Sequence, residues 1–278
     1  MGSESLTPVT VDGAQIAYRR LGKGRPLLVL NGFGATSADW DPSFVDRLAS
    51  SNELILLNNR GIGASTDDGQ PFDIAKLADD AARVIEAIGI DRASVMGWSM
   101  GGFIAQAFAV KYADRIDKLV LLSTDPGGSE ADLASPDVWS ELVNASGTPY
   151  EQARRLVFLL FPTDVAESFY REFGNIVAAA RAELSVELLN RQAAAMDAWH
   201  CDGLTNQLRK IRVPVLIAAG MEDILIPASN ALKLANTIPG AWLAQFAHGG
   251  HAFMAQYPRA LADLINSFLA SDEVESGA

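Results

Sequence analysis

Short, continuously apolar runs recur along this chain, each followed by a longer stretch with helical periodicity, and that alternation narrows the possible folds more than any other feature. Pro26–Leu30, Glu53–Leu57, Ala93–Met96, Leu119–Leu122, Val213–Ala219 and Trp242–Phe246 read as strands. Most have no polar residue at every second position, as expected for strands covered on both faces. Ala14–Leu21 alternates apolar with polar and reads as an edge-type strand. Between them, Ile74–Ile88 places apolar residues at Ile74, Leu77, Ala81, Val84, Ile85 and Ile88, with Gly89 as a stop signal. Gly101–Tyr112, Ala228–Thr237 and Pro258–Leu269 continue the pattern, the first so apolar that it must be buried. A β–α alternation of this kind calls for a mostly parallel sheet sandwiched between helices. The polar ends, Met1–Leu6 and Ser271–Ala278, are expected to fray.

One region breaks the rhythm. Residues 125–209 contain no convincing buried strand, but helical patterns run over Asp137–Asn144, Tyr150–Leu160, Val165–Ala182 and Val186–Ala198. An ordinary crossover needs only a dozen or so residues beyond one helix. The length of the insert therefore predicts a helical cap over the carboxyl edge of the sheet. The core domain would then comprise residues 1–124 and 210–278.

The 278 residues carry 22 Lys and Arg against 34 Asp and Glu, a net charge of −12, which repels nucleic acid, anionic membranes and polyphosphates. No apolar run approaches 18 residues and no secretory leader is evident, so the cytoplasm is the expected compartment. The single cysteine, Cys201, can form no internal disulfide and is expected to be a small buried apolar side chain.

The chemistry begins at Gly97-Trp98-Ser99-Met100-Gly101. A G-x-S-x-G string is weak evidence alone, but this one joins an apolar strand to an apolar helix, the setting of a nucleophile elbow. A serine held in so tight a turn leaves no room for a Cβ two residues away on either side, which is why glycines flank it. The turn lifts the hydroxyl above the sheet edge and aims the N-terminus of the next helix at the reacting carbon. Ser99 is the candidate nucleophile.

Such a hydroxyl needs a base, and only His200, His248 and His251 exist. His200 falls in the expected cap. The other two follow the strand Trp242–Phe246, and His251, further out on the loop beyond Gly250, is favoured over His248, which leaves the strand at once. A buried carboxylate must hold the tautomer of the base. Asp223 follows the strand Val213–Ala219 and is the favoured partner, with Asp125 after Leu119–Leu122 as the rival and Glu222 adjacent but expected to point elsewhere. Two backbone N–H groups would meet an oxyanion, Met100 after the elbow and Phe33 in the loop Asn31-Gly32-Phe33-Gly34.

These residues, in the order Ser, Asp, His, resemble the α/β-hydrolase fold family over about Ala14 to Leu269. Asn59-Arg60-Gly61-Ile62-Gly63-Ala64-Ser65 looks like the family's structural Arg-Gly-x-Gly-x-Ser turn and is assigned to the scaffold. The chain departs from the usual His-Gly by carrying Asn31-Gly32. Asn31 stands at the matching place in proteins similar to enol-lactonases, and its side chain can still hold the loop through nearby backbone. A serine at the elbow sets aside the haloalkane dehalogenase and epoxide hydrolase branches, which the resemblance gives an aspartate there. No H-E-x-x-H metal spacing, phosphate loop or dinucleotide fingerprint is present, so neither cofactor nor metal is expected.

The resemblance thus implies a serine hydrolase of the carboxylesterase or lactonase type acting on a small molecule through an acyl-enzyme. A carbon–carbon bond hydrolase, a cofactor-free haloperoxidase or perhydrolase, and a non-catalytic ligand receptor are the alternatives. Trp98, with Phe158, Phe161 and Trp199 of the insert, are the candidate substrate-binding residues, and the apolar run Val157–Phe161 with Trp139 suggests a hydrophobic substrate.

Overall fold

The structure, a computed structural model, describes residues 6–271. The ends expected to fray, 1–5 and 272–278, lie outside the described residues. The chain opens with three strands, β1 (Thr7–Val11), β2 (Ala14–Gly22) and β3 (Arg25–Leu30), followed by α1 (Pro42–Ala49) and β4 (Asn52–Leu57). Next come α2 (Ile74–Ala87), β5 (Ala93–Trp98), α3 (Met100–Lys111) and β6 (Ile116–Leu122). Five helices follow in a row: α4 (Pro136–Val143), α5 (Pro149–Leu160), α6 (Thr163–Ala182), α7 (Val186–Asp202) and the short α8 (Thr205–Leu208). The chain then returns to the sheet with β7 (Val215–Gly220), α9 (Ser229–Thr237), β8 (Trp242–Phe246), α10 (Phe253–Gln256) and α11 (Pro258–Ala270).

Eight strands form one sheet in the order β1-β2-β4-β3-β5-β6-β7-β8. β1, β2 and β4 pair antiparallel, and every pairing from β4 through β3 to β8 is parallel. The apolar runs explain the parallel part. β5, β6 and β7 are buried along nearly their whole length because helices cover both faces. Leu28, Ile55, Val95, Leu119 and Ile217 pack on one face against α2 and α3, while Val29, Leu56, Met96, Val120 and Leu216 pack on the other against α1 and α11. Sequential residues point to opposite faces, so each strand feeds both cores at once.

Two strand expectations need correction. Ala14–Leu21 is not at the edge; β1, too short and exposed to stand out from its sequence, pairs outside it. The strand expected at Val213–Ala219 begins two residues later and ends at Gly220, because Pro214 has no N–H to give to the ladder.

The parallel strands all end at one edge, and the loops leaving β3, β5, β6, β7 and β8 meet there. Helices α4 to α8 lie between β6 and β7. The C-terminal turn of α5 reaches the last of those loops, where the Ala252 N–H donates to the Leu160 carbonyl at 3.0 Å. Asn144 and Gly203 cap α4 and α7, and Trp139 and Leu142 of the first and Met196 and His200 of the second line a cavity with Ser99. None of the described helices is long and apolar enough to cross a membrane.

Candidate active site

Strand β5 hands over to helix α3 at Ser99, whose backbone adopts φ 56° and ψ −124°. A non-glycine residue in that region stores about 1–3 kcal/mol of strain unless its surroundings hold it. They do. The Ser99 N–H donates to the Leu122 carbonyl at 2.9 Å, and its own carbonyl accepts from the Gly102 N–H at 2.8 Å and the Thr124 hydroxyl at 3.1 Å. The flanking glycines are a steric requirement. A Cβ on Gly97 would stand 2.0 Å from the Gly101 carbonyl oxygen, and one on Gly101 would stand 2.2 Å from that of Leu30. Among the described residues, no side chain engages the Ser99 hydroxyl, and α3 begins immediately beneath it.

The loops after β7 and β8 bring in the other two groups. His251 is buried, and its Nδ1 lies 2.8 Å from Asp223 Oδ2. The other carboxylate oxygen accepts the N–H groups of Leu225 and Ile226, each at 2.9 Å. Those two bonds fix the carboxylate plane, and the carboxylate in turn fixes the ring. With Nδ1 donating to Asp223, the lone pair of the neutral ring is on Nε2. The approach of the two loops again demands glycine, since a Cβ on Gly220 would meet the carbonyl oxygens of Gly249 and Gly250 at 2.3 Å. Trp98 braces His251, donating its indole N–H to the His251 carbonyl at 3.0 Å, its ring tilted against the imidazole. Ser99, Trp98 and His251 line one cavity of about 150 Å³.

The rivals are accounted for elsewhere. Asp125 accepts from Gly127 N–H at 2.8 Å and from the Trp199 indole at 3.2 Å, and His200 Nε2 is 3.3 Å away. Glu222 pairs with the exposed His248 at 2.7 Å.

On the opposite side of Ser99 lies the loop after β3. A Cβ on Gly32 would come within 3.3 Å of the Ser99 Cβ, so this loop abuts the elbow. Among the described residues, neither the Phe33 amide nor the Met100 amide has an acceptor. Asn31 holds the loop from beneath. Its amide donates to the Leu57 carbonyl at 2.7 Å, and its oxygen accepts the Trp40 indole N–H at 2.6 Å. A second clamp comes from α7, where the fully buried Gln192 accepts the Gly34 N–H at 2.8 Å. Sequence reasoning missed Gln192, because a lone glutamine on a long helix carries no motif.

Residues 25–256 match the model of the alpha/beta hydrolase fold. The chain belongs to that family. Among its relatives, "Putative carbamate hydrolase RutD" of Azorhizobium caulinodans is 30% identical over 92% of this chain and 95% of its own length. The poly(3-hydroxyalkanoate) depolymerase of Ectopseudomonas oleovorans is 31% identical, covering 89% of this chain and 85% of its own. A solved hydrolase from Pseudomonas aeruginosa PA01 superposes with a TM-score of 0.82 at 27% identity, over 97% of this chain and all of that one. The protein is therefore an alpha/beta hydrolase in sequence and in fold. In this hydrolase the turn Asn59–Ser65 is scaffold. Arg60 is buried and pairs with Asp80 through two 2.8 Å bonds, and Ser65 accepts from the Ala17 N–H and donates to the Asn58 carbonyl.

The insert's aromatic residues divide. Phe161 reaches the cavity beside Trp98, joined by Leu156, Val157 and Leu160. Phe158 does not. It is half-buried and turned towards α6, beside Tyr170 and Gly174, with the Arg154 guanidinium 4.5 Å from its ring centre. Trp199 does not reach the cavity either, because its ring stacks on Phe103 behind the elbow and its N–H is committed to Asp125. Cys201 is exposed, contrary to expectation, because α7 turns Met196 and Trp199 inward and leaves position 201 outside. A second cavity of about 490 Å³ also opens on Ser99 and is lined by Trp139, Asp125, His200 and Leu133 among others. Among the described residues, no three His, Cys, Asp or Glu side chains gather closely enough to hold a metal ion.

Proposed function

We propose that this hydrolase cleaves carboxylic ester or lactone bonds of a small, largely hydrophobic molecule through an acyl-enzyme on Ser99. The observation that carries the reading is the buried Asp223–His251 pair, opening on the same cavity as a strained serine whose hydroxyl no described side chain engages.

His251 Nε2 takes the proton as the Ser99 oxygen attacks the carbonyl carbon, and Asp223 stabilises the imidazolium. The amides of Phe33 and Met100 receive the oxyanion, each donor contributing about 3–4 kcal/mol in the transition state. The imidazolium then protonates the leaving alkoxide, and the same nitrogen later activates water against the acyl-enzyme. Residues 125–209 act as a cap that bounds both cavities, with Phe161 and Trp98 supplying apolar contact. The relatives' names fit carbonyl addition as the common step. A carbamate also presents a carbonyl to a nucleophile, and a poly(3-hydroxyalkanoate) is a chain of esters.

Ser99→Ala is expected to lower kcat on 4-nitrophenyl butyrate by about 10⁴-fold or more while leaving the melting temperature within a few degrees. A fluorophosphonate should label the parent and not the variant, as read by intact-mass spectrometry. Turnover within tenfold of the parent would remove Ser99 from the mechanism.

A further inference from the structure

The cavity that holds Ser99 and His251 is lined by the carboxylates of Asp39 and Asp41 and by one cation. Arg181, near the C-terminus of α6, lines it with a relative exposure of 8%. Two other guanidinium groups with little exposure, those of Arg60 and Arg191, meet a carboxylate. Arg60 is clasped by Asp80 at 2.8 Å, and Arg191 meets Asp67 at 2.7 Å. Among the described residues, Arg181 makes no hydrogen bond and no ion pair, and its Nε is buried without an acceptor.

Its surroundings compensate only in part. Asp39, whose field reaches it from the same lining, makes no ion pair with it and gives one carboxylate oxygen to the Thr36 N–H and hydroxyl. Arg155, from α5, adds a like charge to the same region. Burial and that neighbour hold the Arg181 pKa below the usual arginine value, yet a guanidinium remains protonated at any working pH. A buried, unpaired cation is among the most expensive features a fold can keep, and replacing one by an apolar side chain generally stabilises. The head of Arg181 lies at the oxyanion side of the cavity, since a Cβ on Gly34 would stand 3.2 Å from its Nη1.

Resting on the reading of the site as an ester- or lactone-cleaving one, we infer that Arg181 receives a carboxylate carried by the substrate. A planar guanidinium pairs bidentately with a planar carboxylate, and the small apolar walls favour a monoanion over a doubly charged phosphate. The substrate class is thus an ester or lactone that also carries a free carboxylate. Its charge pairs with that guanidinium at the moment of binding, which gives the cavity a preference over neutral esters of the same shape.

The test compares matched probes in the full-length parent, Arg181→Met and Arg181→Lys. One series places the carboxylate on the acyl half, with 4-nitrophenyl half-esters of succinate, glutarate and adipate against 4-nitrophenyl valerate. The other places it on the alcohol half, with 3-carboxypropyl butyrate against pentyl butyrate. The expected result is a preference for the anionic member of at least tenfold in kcat/KM in one series. Arg181→Met should remove that preference, Arg181→Lys should keep part of it, and the neutral esters should stay within threefold. Arg181→Met should also melt no lower than the parent, an outcome a merely structural arginine would not give. Calorimetric binding of monomethyl glutarate and dimethyl glutarate to Ser99→Ala, with and without Arg181→Met, reads the same contact without turnover. The anionic ligand alone should weaken by tenfold or more. Equal loss on both members, or no discrimination in either series and in binding, overturns the role of Arg181 while leaving the serine mechanism intact. Failure of every ester in the parent and of fluorophosphonate labelling would instead sink the mechanism, and the calorimetric arm would still decide the arginine.

Discussion

His251–Asp223 and His248–Glu222 are built from the same two loops, the histidines three residues apart and the carboxylates adjacent, yet the molecule treats them in opposite ways. The first pair is buried, its carboxylate held by two backbone amides and its imidazole facing the cavity. The second has nearly the same contact distance, 2.7 Å against 2.8 Å, but the His248 side chain is 85% exposed. Distance therefore does not distinguish a buried pair from a surface one. What differs is the set of groups behind the carboxylate and the exclusion of water, which together decide whether an ion pair has one geometry or many. A third pair, His200–Asp125, falls between them, with a buried carboxylate and a half-buried ring at 3.3 Å.

The sharpest way to break the comparison is to neutralise both carboxylates separately. Asp223→Asn is expected to lower kcat by about 10³–10⁴-fold, because an amide can hold the ring in the wrong tautomer. Glu222→Gln should leave kcat within threefold in the same assay. Comparable losses in the two variants would mean that burial does not separate the pairs.

Much of this was legible in the sequence. Ser99, Asp223 and His251 each sit just beyond an apolar run, and a parallel sheet must bring the carboxyl ends of its strands together. Gly97 and Gly101 could be read because a close backbone approach leaves a residue type behind. The insert was harder. Helical periodicity located α5 and α7 to within a few residues but not their rotational phase, so Phe158 and Trp199 were assigned to the wrong side. Helix α1 was missed although Asp41-Pro42 is a start signal, since only Phe44, Val45 and Leu48 are buried on its eight residues. Arg181 and Gln192 have no local signature, because what matters about each is a partner, or the lack of one, that only the fold supplies.

The intermediate pair supplies a test of moderate size. Asp125→Asn should lower stability by about 1–3 kcal/mol, since one buried oxygen accepts from both Gly127 and Trp199 and the other, which faces His200, becomes an amide NH₂, while kcat moves less than tenfold. Chemical denaturation with parallel kinetics would read both, and a loss of kcat without a loss of stability would move Asp125 into the reacting group. The smallest effect is expected at the surface. His248 has φ 56°, a backbone conformation that glycine adopts freely. His248→Gly should therefore be neutral or stabilising by up to about 1 kcal/mol, with activity retained. A destabilised or slowed variant would show that the exposed pair matters after all.

The bond from Gln192 to Gly34 has a consequence for how such enzymes can be altered. The helical insert is also one of the supports of the loop beside Ser99, so the two cannot be exchanged independently. A transplanted helical segment without a glutamine at this place would arrive with no acceptor for that glycine amide. Such a graft would leave the loop that carries Phe33 loose for want of a single side-chain oxygen.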